Sequence, residues 1–237
     1  MKLSVALAAY NGEAYIEEQL NSILQNLGEG DELIVSDDGS TDGTRDIVRD
    51  LAAVDGRVKL IDGPQKGLIK NFEHAIAACN GDVVFLSDQD DVWHADKAET
   101  VLACFEETGA VLVLHDAQMT DNERHVLSPS FFAFRGSRAG YAKNLWKNSY
   151  IGCCMAFKKE LLDVALPFDD RIPMHDQWLG LLAEKRGNVA FLQKVLLDYR
   201  RHEGTVTKDH HGKFSAMVSN RWNMWRAVKK RLRATKG

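Results

Sequence analysis

Short apolar runs alternate with helical patterns along the first half of the chain, and each run stops at a polar turn. The runs are 3–9, 33–35, 58–61 and 83–86. Strands that read as continuous apolar runs are typical of a parallel sheet covered on both faces. The segments between them carry apolar residues at helical spacing. We therefore predict an α/β fold with a mostly parallel sheet flanked by helices.

Ligands of such sheets bind beyond the carboxyl ends of the strands. Three predicted strands end in polar residues: Ala9-Tyr10-Asn11, Asp37-Asp38 and Asp88-Gln89-Asp90. Asp88 and Asp90 are two residues apart in an extended segment, so their side chains point the same way. Carboxylate oxygens at this spacing suit Mg²⁺ or Mn²⁺. The competing interpretation is an acidic helix cap.

The charge of the chain is divided between an acidic body and a basic end. The chain has 30 Lys and Arg, 34 Asp and Glu, and a net charge of −4. Asp209 is the last acidic residue, and eight basic residues follow it, so residues 1–209 carry −12 and the remainder +8. An acidic body argues against nucleic-acid binding by the whole protein, because a phosphate-tracking surface should dominate the charge.

Residues 210–237 are predicted to form a basic amphipathic helical tail that follows one domain, residues 1–209. The apolar positions of this helix share one stripe: Phe214, Val218, Trp222, Trp225 and Leu232. A basic helix with tryptophan at its apolar boundary suits an anionic membrane surface. Packing on the domain or on a second copy, as in a homodimer, is the alternative.

The remaining composition favours the cytoplasm. No run reaches the roughly 20 apolar residues that a membrane span requires. The four cysteines form no CxxC pair, so reduced thiols are expected. The first apolar run resembles a short signal peptide, but a buried strand is the preferred interpretation.

Several motifs resemble those of the GT-A glycosyltransferases of family two. They are Val5 to Asn11, Asp37-Asp38-Gly39-Ser40-Thr41-Asp42, Ser87-Asp88-Gln89-Asp90-Asp91-Val92-Trp93, Gly152 to Phe157, His175-Asp176-Gln177-Trp178-Leu179 and Tyr199-Arg200-Arg201-His202. The third motif is similar to that of the bacterial rhamnosyltransferase-like branch. The motifs occur in the expected order and cover roughly residues 2–207.

The resemblance implies a GT-A fold, which is Rossmann-like, and a role for each matching residue. Asp176 would be the general base that takes the proton of the acceptor hydroxyl, although an N-cap of the helix that follows is the alternative. Asp90 and His202 would bind Mn²⁺ or Mg²⁺. The expected donor-binding residues, including one lysine considered for phosphate contact, are Ala9, Tyr10, Asn11, Asp37, Asp38, Lys70 and Asp88. His175 stands where many members have glutamate, and its role stays open.

The resemblance further implies an inverting, metal-dependent transferase of bacterial surface polysaccharide synthesis. The branch favours dTDP-rhamnose as the nucleotide-diphospho sugar donor, with UDP-glucose and UDP-galactose as alternatives. The acceptor would be a glycan or a lipid-linked saccharide, reached in the cytoplasm or on the inner face of the plasma membrane. A metal-dependent nucleotidyltransferase and an inactive nucleotide-sugar-binding scaffold are the rival hypotheses.

Overall fold

A computed structural model of the chain describes residues 1–202 and 214–235. Within them the strands form one nine-stranded sheet in the order β3-β2-β1-β4-β8-β6-β9-β5, and β7 pairs with β6. The strands are β1 (Leu3–Ala9), β2 (Glu32–Asp37), β3 (Val58–Asp62), β4 (Val83–Ser87), β5 (Val92–Trp93), β6 (Leu112–Thr120), β7 (Val126–Ser128), β8 (Met155–Lys158) and β9 (Val189–Arg200).

Helices connect and cover these strands. They are α1 (Ile16–Leu24), α2 (Thr44–Val54), α3 (Leu68–Ala77), α4 (Lys97–Thr108), α5 (Phe131–Arg135), α6 (Tyr141–Trp146), α7 (Leu162–Ala165), α8 (His175–Arg186) and α9 (Phe214–Ala234). Apolar residues at helical spacing explain why α1 forms and where it packs. Ile16, Leu20 and Ile23 lie on one face of this helix and are fully buried.

The first half of the sheet is parallel, as predicted. Strands β3, β2, β1 and β4 are neighbours that pair in parallel, and their carboxyl ends therefore meet at one edge of the sheet. All seven residues of β1 are buried, which confirms the interpretation of the first apolar run as a strand. The α/β fold with flanking helices is confirmed.

The second half of the sheet is mixed. Strand β8 runs antiparallel to both β4 and β6, whereas β9 runs parallel to β6 and antiparallel to β5. From the sequence, the apolar segments 189–192 and 195–199 suggest two short strands that pair with each other, and this prediction is wrong. Both segments belong to β9, because His115 pairs with Leu192 and Asp116 pairs with Val195. A bulge at the two residues between these pairs lets one long strand continue along β6.

The C-terminal helix α9 packs against α6, α7 and α8. The expected boundary between residues 209 and 210 and the side chain of Phe214 lie outside the described residues. Of the predicted stripe, Leu232 packs against the core, but Trp222 is exposed. None of the described helices is long and apolar enough to cross a membrane.

Candidate active site

A cavity of about 680 Å³ opens at the edge where the parallel strands end. It receives residues from three strand ends, from the start of α8 and from the end of β9. Eight of the ten residues predicted from the sequence line this cavity: Ala9, Tyr10, Asn11, Asp38, Asp88, Asp90, Asp176 and His202. The other two, Asp37 and Lys70, do not line it. The fold therefore brings together residues that are up to 193 positions apart in the sequence.

Tyr10 and Gln89 tie the first strand end to the acidic turn after β4. The amide N–H of Tyr10 donates to the Gln89 side-chain oxygen at 2.8 Å, and the Gln89 side-chain nitrogen donates to the carbonyl oxygen of Tyr10 at 3.0 Å. Sequence reasoning passed over Gln89, although its place between two aspartates of the motif was a signal. This amide fixes the distance between two edges of the cavity.

Asn11 joins the first strand end to the second. Its side-chain oxygen accepts a hydrogen bond from the Thr41 amide at 2.8 Å, and its own amide donates to the Ser40 hydroxyl at 2.8 Å. The residue has a φ of 49°, a left-handed conformation that asparagine tolerates better than most residues. The carbonyl oxygen of Ala9 accepts from the amide of Asp38 at 2.9 Å, so these turns form one unit.

The two aspartates after β2 have different tasks. The Asp37 carboxylate is buried and accepts from the Ser40 amide at 3.0 Å and from the Arg45 guanidinium at 2.9 Å. Asp38 faces the cavity, where its two oxygens accept from the amides of Gln65 at 2.6 Å and Gly67 at 2.8 Å. Asp37 therefore builds the turn, whereas Asp38 holds the next loop against the cavity.

Lys70 lies away from the cavity lining. Its ammonium group is 2.8 Å from the Glu73 carboxylate and 2.8 Å from the Asp170 carboxylate, and these partners raise its pKa. Glu73 also accepts from the Phe168 amide at 2.8 Å. Lys70 thus fastens the segment before α8 onto α3, and its predicted contact with donor phosphate stays a prediction.

Asp90 and His202 present two metal-ligating atoms side by side. The His202 Nε2 atom is 2.8 Å from the Asp90 Oδ2 atom, and the imidazole stacks on the Tyr15 ring with 4.7 Å between ring centroids. Burial, together with the charges of Asp90 and Asp176, raises the pKa of Asp88 to about 7, so the ionised form of this carboxyl lacks a fully compensating positive charge. An oxygen and a nitrogen donor beside such a carboxyl fit a divalent cation.

A buried layer supports this acidic corner from behind. Asp88, Asp91 and Cys153 hold ligand-type atoms that all lie within 4.8 Å of one another. The Asp91 Oδ2 atom is buried and has no hydrogen-bond partner among the described residues. The buried Lys97 ammonium donates to the Cys153 carbonyl oxygen at 2.8 Å, and burial lowers its pKa to about 8. Lys97 places a positive charge behind the acids, which sequence reasoning did not anticipate.

Asp176 lies in the first turn of α8 with 7% of its surface exposed. The N-cap is Met174, so the alternative that Asp176 caps this helix is wrong. Burial raises its pKa to about 7, although hydrogen bonds from the Gln177 amide and from the Asn148 side chain at 3.2 Å favour the ionised form. A carboxylate of this pKa accepts a proton readily near neutral pH. Asn148, which positions it, carried no signal in the sequence.

His175 stands next to Asp176 and also lines the cavity. Its ring stacks on Phe72 at 4.1 Å between centroids and is 4% exposed. Neither ring nitrogen has a hydrogen-bond partner among the described residues, and burial lowers the pKa of His175 to about 3. A Cβ atom at Gly152 would lie 3.0 Å from Nε2, so glycine leaves room in front of the ring. The neutral imidazole offers one donor and one acceptor.

The fold and the cavity define an α/β protein with a pocket at a sheet edge, where Asp90, His202 and the Asp176 carboxyl line one cavity. Comparison with known families identifies it further. The model of "Glycosyl transferase family 2" matches residues 4–165, and the chain belongs to this family.

Three relatives show how far the similarity extends. The chain is 27% identical over 211 residues to an uncharacterized glycosyltransferase of Nostoc sp., with 85% of the chain and 65% of the relative covered. It is 28% identical over 241 residues to the dTDP-rhamnosyl transferase RfbG of Shigella flexneri, covering 91% and 80%. It is also 28% identical over 212 residues to the UDP-Glc:alpha-D-GlcNAc-diphosphoundecaprenol beta-1,3-glucosyltransferase WfgD of Escherichia coli, covering 87% and 80%.

Solved structures share the fold. TarS 1–349 of S. aureus in complex with UDP-GlcNAc superposes with a TM-score of 0.75 at 21% identity, covering 98% of this chain and 66% of that one. The mannosyltransferase PcManGT of Pyrobaculum calidifontis, in complex with GDP-Man and Mn²⁺, gives 0.64 at 18% identity, covering 99% and 74%. The GT-A assignment is confirmed by these neighbours.

Proposed function

We propose that the protein is an inverting glycosyltransferase that transfers a sugar from a nucleotide-diphospho donor to a glycan or lipid-linked acceptor in bacterial surface polysaccharide synthesis. One observation carries the proposal: the donor-type residues of three strand ends and the Asp176 carboxylate line the same cavity of about 680 Å³. Ala9, Tyr10, Asn11 and Asp38 border the side proposed for the nucleotide. The family match and the similarity to a dTDP-rhamnosyl transferase support the assignment as a glycosyltransferase.

In the proposed reaction, Asp176 takes the proton of an acceptor hydroxyl as that oxygen attacks the anomeric carbon. The new carbon–oxygen bond forms while the bond from that carbon to the diphosphate oxygen breaks, and the nucleoside diphosphate leaves with the electron pair. Attack from the side opposite the leaving group inverts the anomeric configuration. A positioned base contributes a factor of about 10² to 10⁴ to such a step.

We assign the cation site to Asp90 and His202, with Asp88 beside them. The paired donor atoms 2.8 Å apart, with the Asp88 carboxyl lining the same cavity, support the assignment. Mn²⁺ or Mg²⁺ held there supplies positive charge for the departing diphosphate. The presence of Mn²⁺ in the PcManGT complex is consistent with this choice of ion.

His175 is proposed as a contact for a sugar hydroxyl. His175 lines the cavity, and its two buried ring nitrogens have no hydrogen-bond partner among the described residues. A buried donor left without a partner costs about 1 to 3 kcal/mol. A hydroxyl group can satisfy one nitrogen as acceptor or the other as donor. The imidazole stays neutral across the working pH range because of its low pKa, so it would select by hydrogen bonding and not by charge.

We propose dTDP-rhamnose as the donor, on the resemblance to the rhamnosyltransferase-like branch and the 28% identity to RfbG. UDP-glucose is the second candidate, since WfgD is equally similar. That relative's name includes a diphosphoundecaprenol acceptor, which supports a lipid-linked acceptor here. The reaction would then take place on the inner face of the plasma membrane, where α9 would provide attachment and a homodimer is the alternative use of that helix.

The test measures nucleoside diphosphate release with dTDP-rhamnose, UDP-glucose and UDP-galactose, with and without a lipid-linked saccharide acceptor. We expect acceptor-dependent release with dTDP-rhamnose that requires Mn²⁺ or Mg²⁺. Asp176→Asn should lose transfer, while Asp46→Asn, a change at an exposed helix position, should keep it. Release of pyrophosphate would favour a nucleotidyltransferase. Donor binding without any turnover would favour an inactive scaffold.

A further inference from the structure

One face of α9 is used to attach this helix to the body of the protein. Met224, Ala227 and Val228 are fully buried against it. The Arg231 guanidinium donates to the carbonyl oxygens of Val164 at 3.2 Å and Leu166 at 2.6 Å. These contacts fix the helix on the domain, so its remaining faces have a defined orientation.

A second face of α9, which carries two tryptophans, is largely exposed. Val218, Trp222, Trp225 and Lys229 follow at intervals of four, three and four residues, which places them on one face of a helix. This face differs from the one that carries Met224, Ala227 and Val228. Trp222 is 56% exposed and stacks on Trp225 with 4.9 Å between ring centroids. Trp222 is thus held in order on the surface, whereas Trp225 is half-buried and has the Lys229 ammonium 4.5 Å from its ring centroid.

Helix α6 extends this surface. Trp146, its last residue, is 62% exposed. The Arg221 side chain crosses from α9, donates from Nε to the Trp146 carbonyl oxygen at 2.6 Å and lies 4.5 Å from the centroid of the Trp146 ring. Arg221 precedes Trp222 in the chain, so the contact brings two exposed tryptophans from different helices to one surface.

This surface is strongly basic. Residues 131–150 contain four basic and no acidic side chains, and α9 contains six basic and no acidic side chains. Burial, together with the positive charges of Arg138 and Lys147, lowers the pKa of Lys143. Glu184 lies near Lys143, and its carboxylate already accepts from the Tyr150 hydroxyl at 2.5 Å, while Asp169 lies near Lys230 of α9. The cations therefore lie close enough to repel one another, which favours an anionic partner.

We propose that α6 and the exposed face of α9 form a docking surface for an anionic phospholipid bilayer, with Trp146, Trp222 and Val218 entering the interface and the surrounding basic side chains contacting lipid phosphates. Tryptophan is favoured at the boundary between lipid headgroups and hydrocarbon. Basic side chains add attraction to anionic lipids. The charge argues against a second copy, because two surfaces of the same sign would face each other across a symmetric interface.

The docking surface is directly connected to the proposed base. Gln177, next to Asp176, donates from its side chain to the Asn144 carbonyl oxygen of α6 at 2.7 Å. Asn148, two residues after Trp146, donates to Asp176 at 3.2 Å. If the proposed function is correct, on which this step rests, a bilayer bound at α6 presents a lipid-linked acceptor on the side of the cavity that holds the base.

Co-sedimentation with vesicles tests the surface. We expect the protein to bind vesicles of phosphatidylcholine with phosphatidylglycerol and to bind vesicles of phosphatidylcholine alone at least tenfold more weakly. The double variant Trp146→Ser/Trp222→Ser should lose roughly tenfold in affinity. The matched control Val54→Ser/Leu127→Ser, which changes two exposed apolar residues elsewhere, should bind like the parent. Melting temperatures of all variants confirm that each is folded.

Equal binding to both kinds of vesicle, or equal loss in the test and control variants, would overturn the proposal. Dimerisation that is lost in the Trp146→Ser/Trp222→Ser variant, without vesicle binding by the parent, would assign the surface to a second copy instead. Transfer to a water-soluble saccharide acceptor separates this proposal from the proposed function. The double variant should keep that transfer, and vesicle binding stands even if no transfer is found.

Discussion

Asp176→Asn should make the protein more stable while removing its activity. The carboxyl pKa of Asp176 rises from 3.8 to about 7 on folding, a difference of about 3 units at about 1.4 kcal/mol each. Between these two values the unfolded chain ionises this group and the folded chain does not, so the parent loses stability as pH rises. Above about pH 7 the loss in the free energy of unfolding is constant at roughly 4 kcal/mol.

Asparagine has nearly the same shape and keeps an oxygen for the Asn148 and Gln177 donors. Asparagine carries no charge, so the pH-dependent loss of stability that Asp176 causes should disappear in the variant. We expect urea unfolding without metal to give the variant a gain of about 2 kcal/mol at about pH 5 and about 4 kcal/mol at about pH 8. In the same preparation, transfer should fall by about 10² to 10⁴. A gain of the same size at both pH values, or no gain, would refute the argument that burial of this carboxylate is costly.

Three further predictions concern the other parts of the cavity. Chelation by EDTA should abolish transfer, and added Mn²⁺ or Mg²⁺ should restore it. Asp90→Asn should raise the Mn²⁺ concentration that gives the half-maximal rate at least tenfold. A transfer rate that resists EDTA would contradict the proposed cation site. His175→Phe keeps an aromatic ring beside Phe72 but removes both ring nitrogens, and should raise the donor KM about five- to tenfold with no fall in the melting temperature. The Lys70 charge is paired with Glu73 and Asp170, so Lys70→Met should lower the melting temperature and change the donor affinity measured by calorimetry by no more than about twofold. A tenfold loss of donor affinity would support the predicted contact of Lys70 with phosphate.

The parallel half of the fold was predictable because β1, β2 and β4 are buried along their whole length. Strand β1 begins and ends where its apolar run does, and the turns after β1, β2 and β4 meet because parallel strands end at one edge. The second half of the fold was not predictable in the same way, because its strands form a mixed sheet. The bulge in β9 results from its pairing with β6, and the sequence of β9 alone does not distinguish a bulge from a turn between two strands.

Side-chain direction was the main limit for the site. Asp37 and Asp38 are neighbours with the same chemistry, but only contacts distant in sequence decide that Asp38 faces the cavity. Lys70 has the right charge for a phosphate, yet its acids lie at positions 73 and 170. In α9 the predicted stripe with its tryptophans lies on one face of the helix, but the face that packs on the domain carries Met224, Ala227 and Val228. Periodicity reveals an apolar face and not its partner.

The four cysteines are all free and buried, so their thiols are natural probes of local opening of the structure. A thiol reagent in solution reaches such a sulfur only while the surrounding structure is open, so the reaction rate measures opening events. Cys104 lies in α4, whereas Cys153 is next to the acidic corner of the cavity. The labelling rates of these two thiols therefore distinguish local opening at the cavity edge from local unfolding of α4, without any engineered probe.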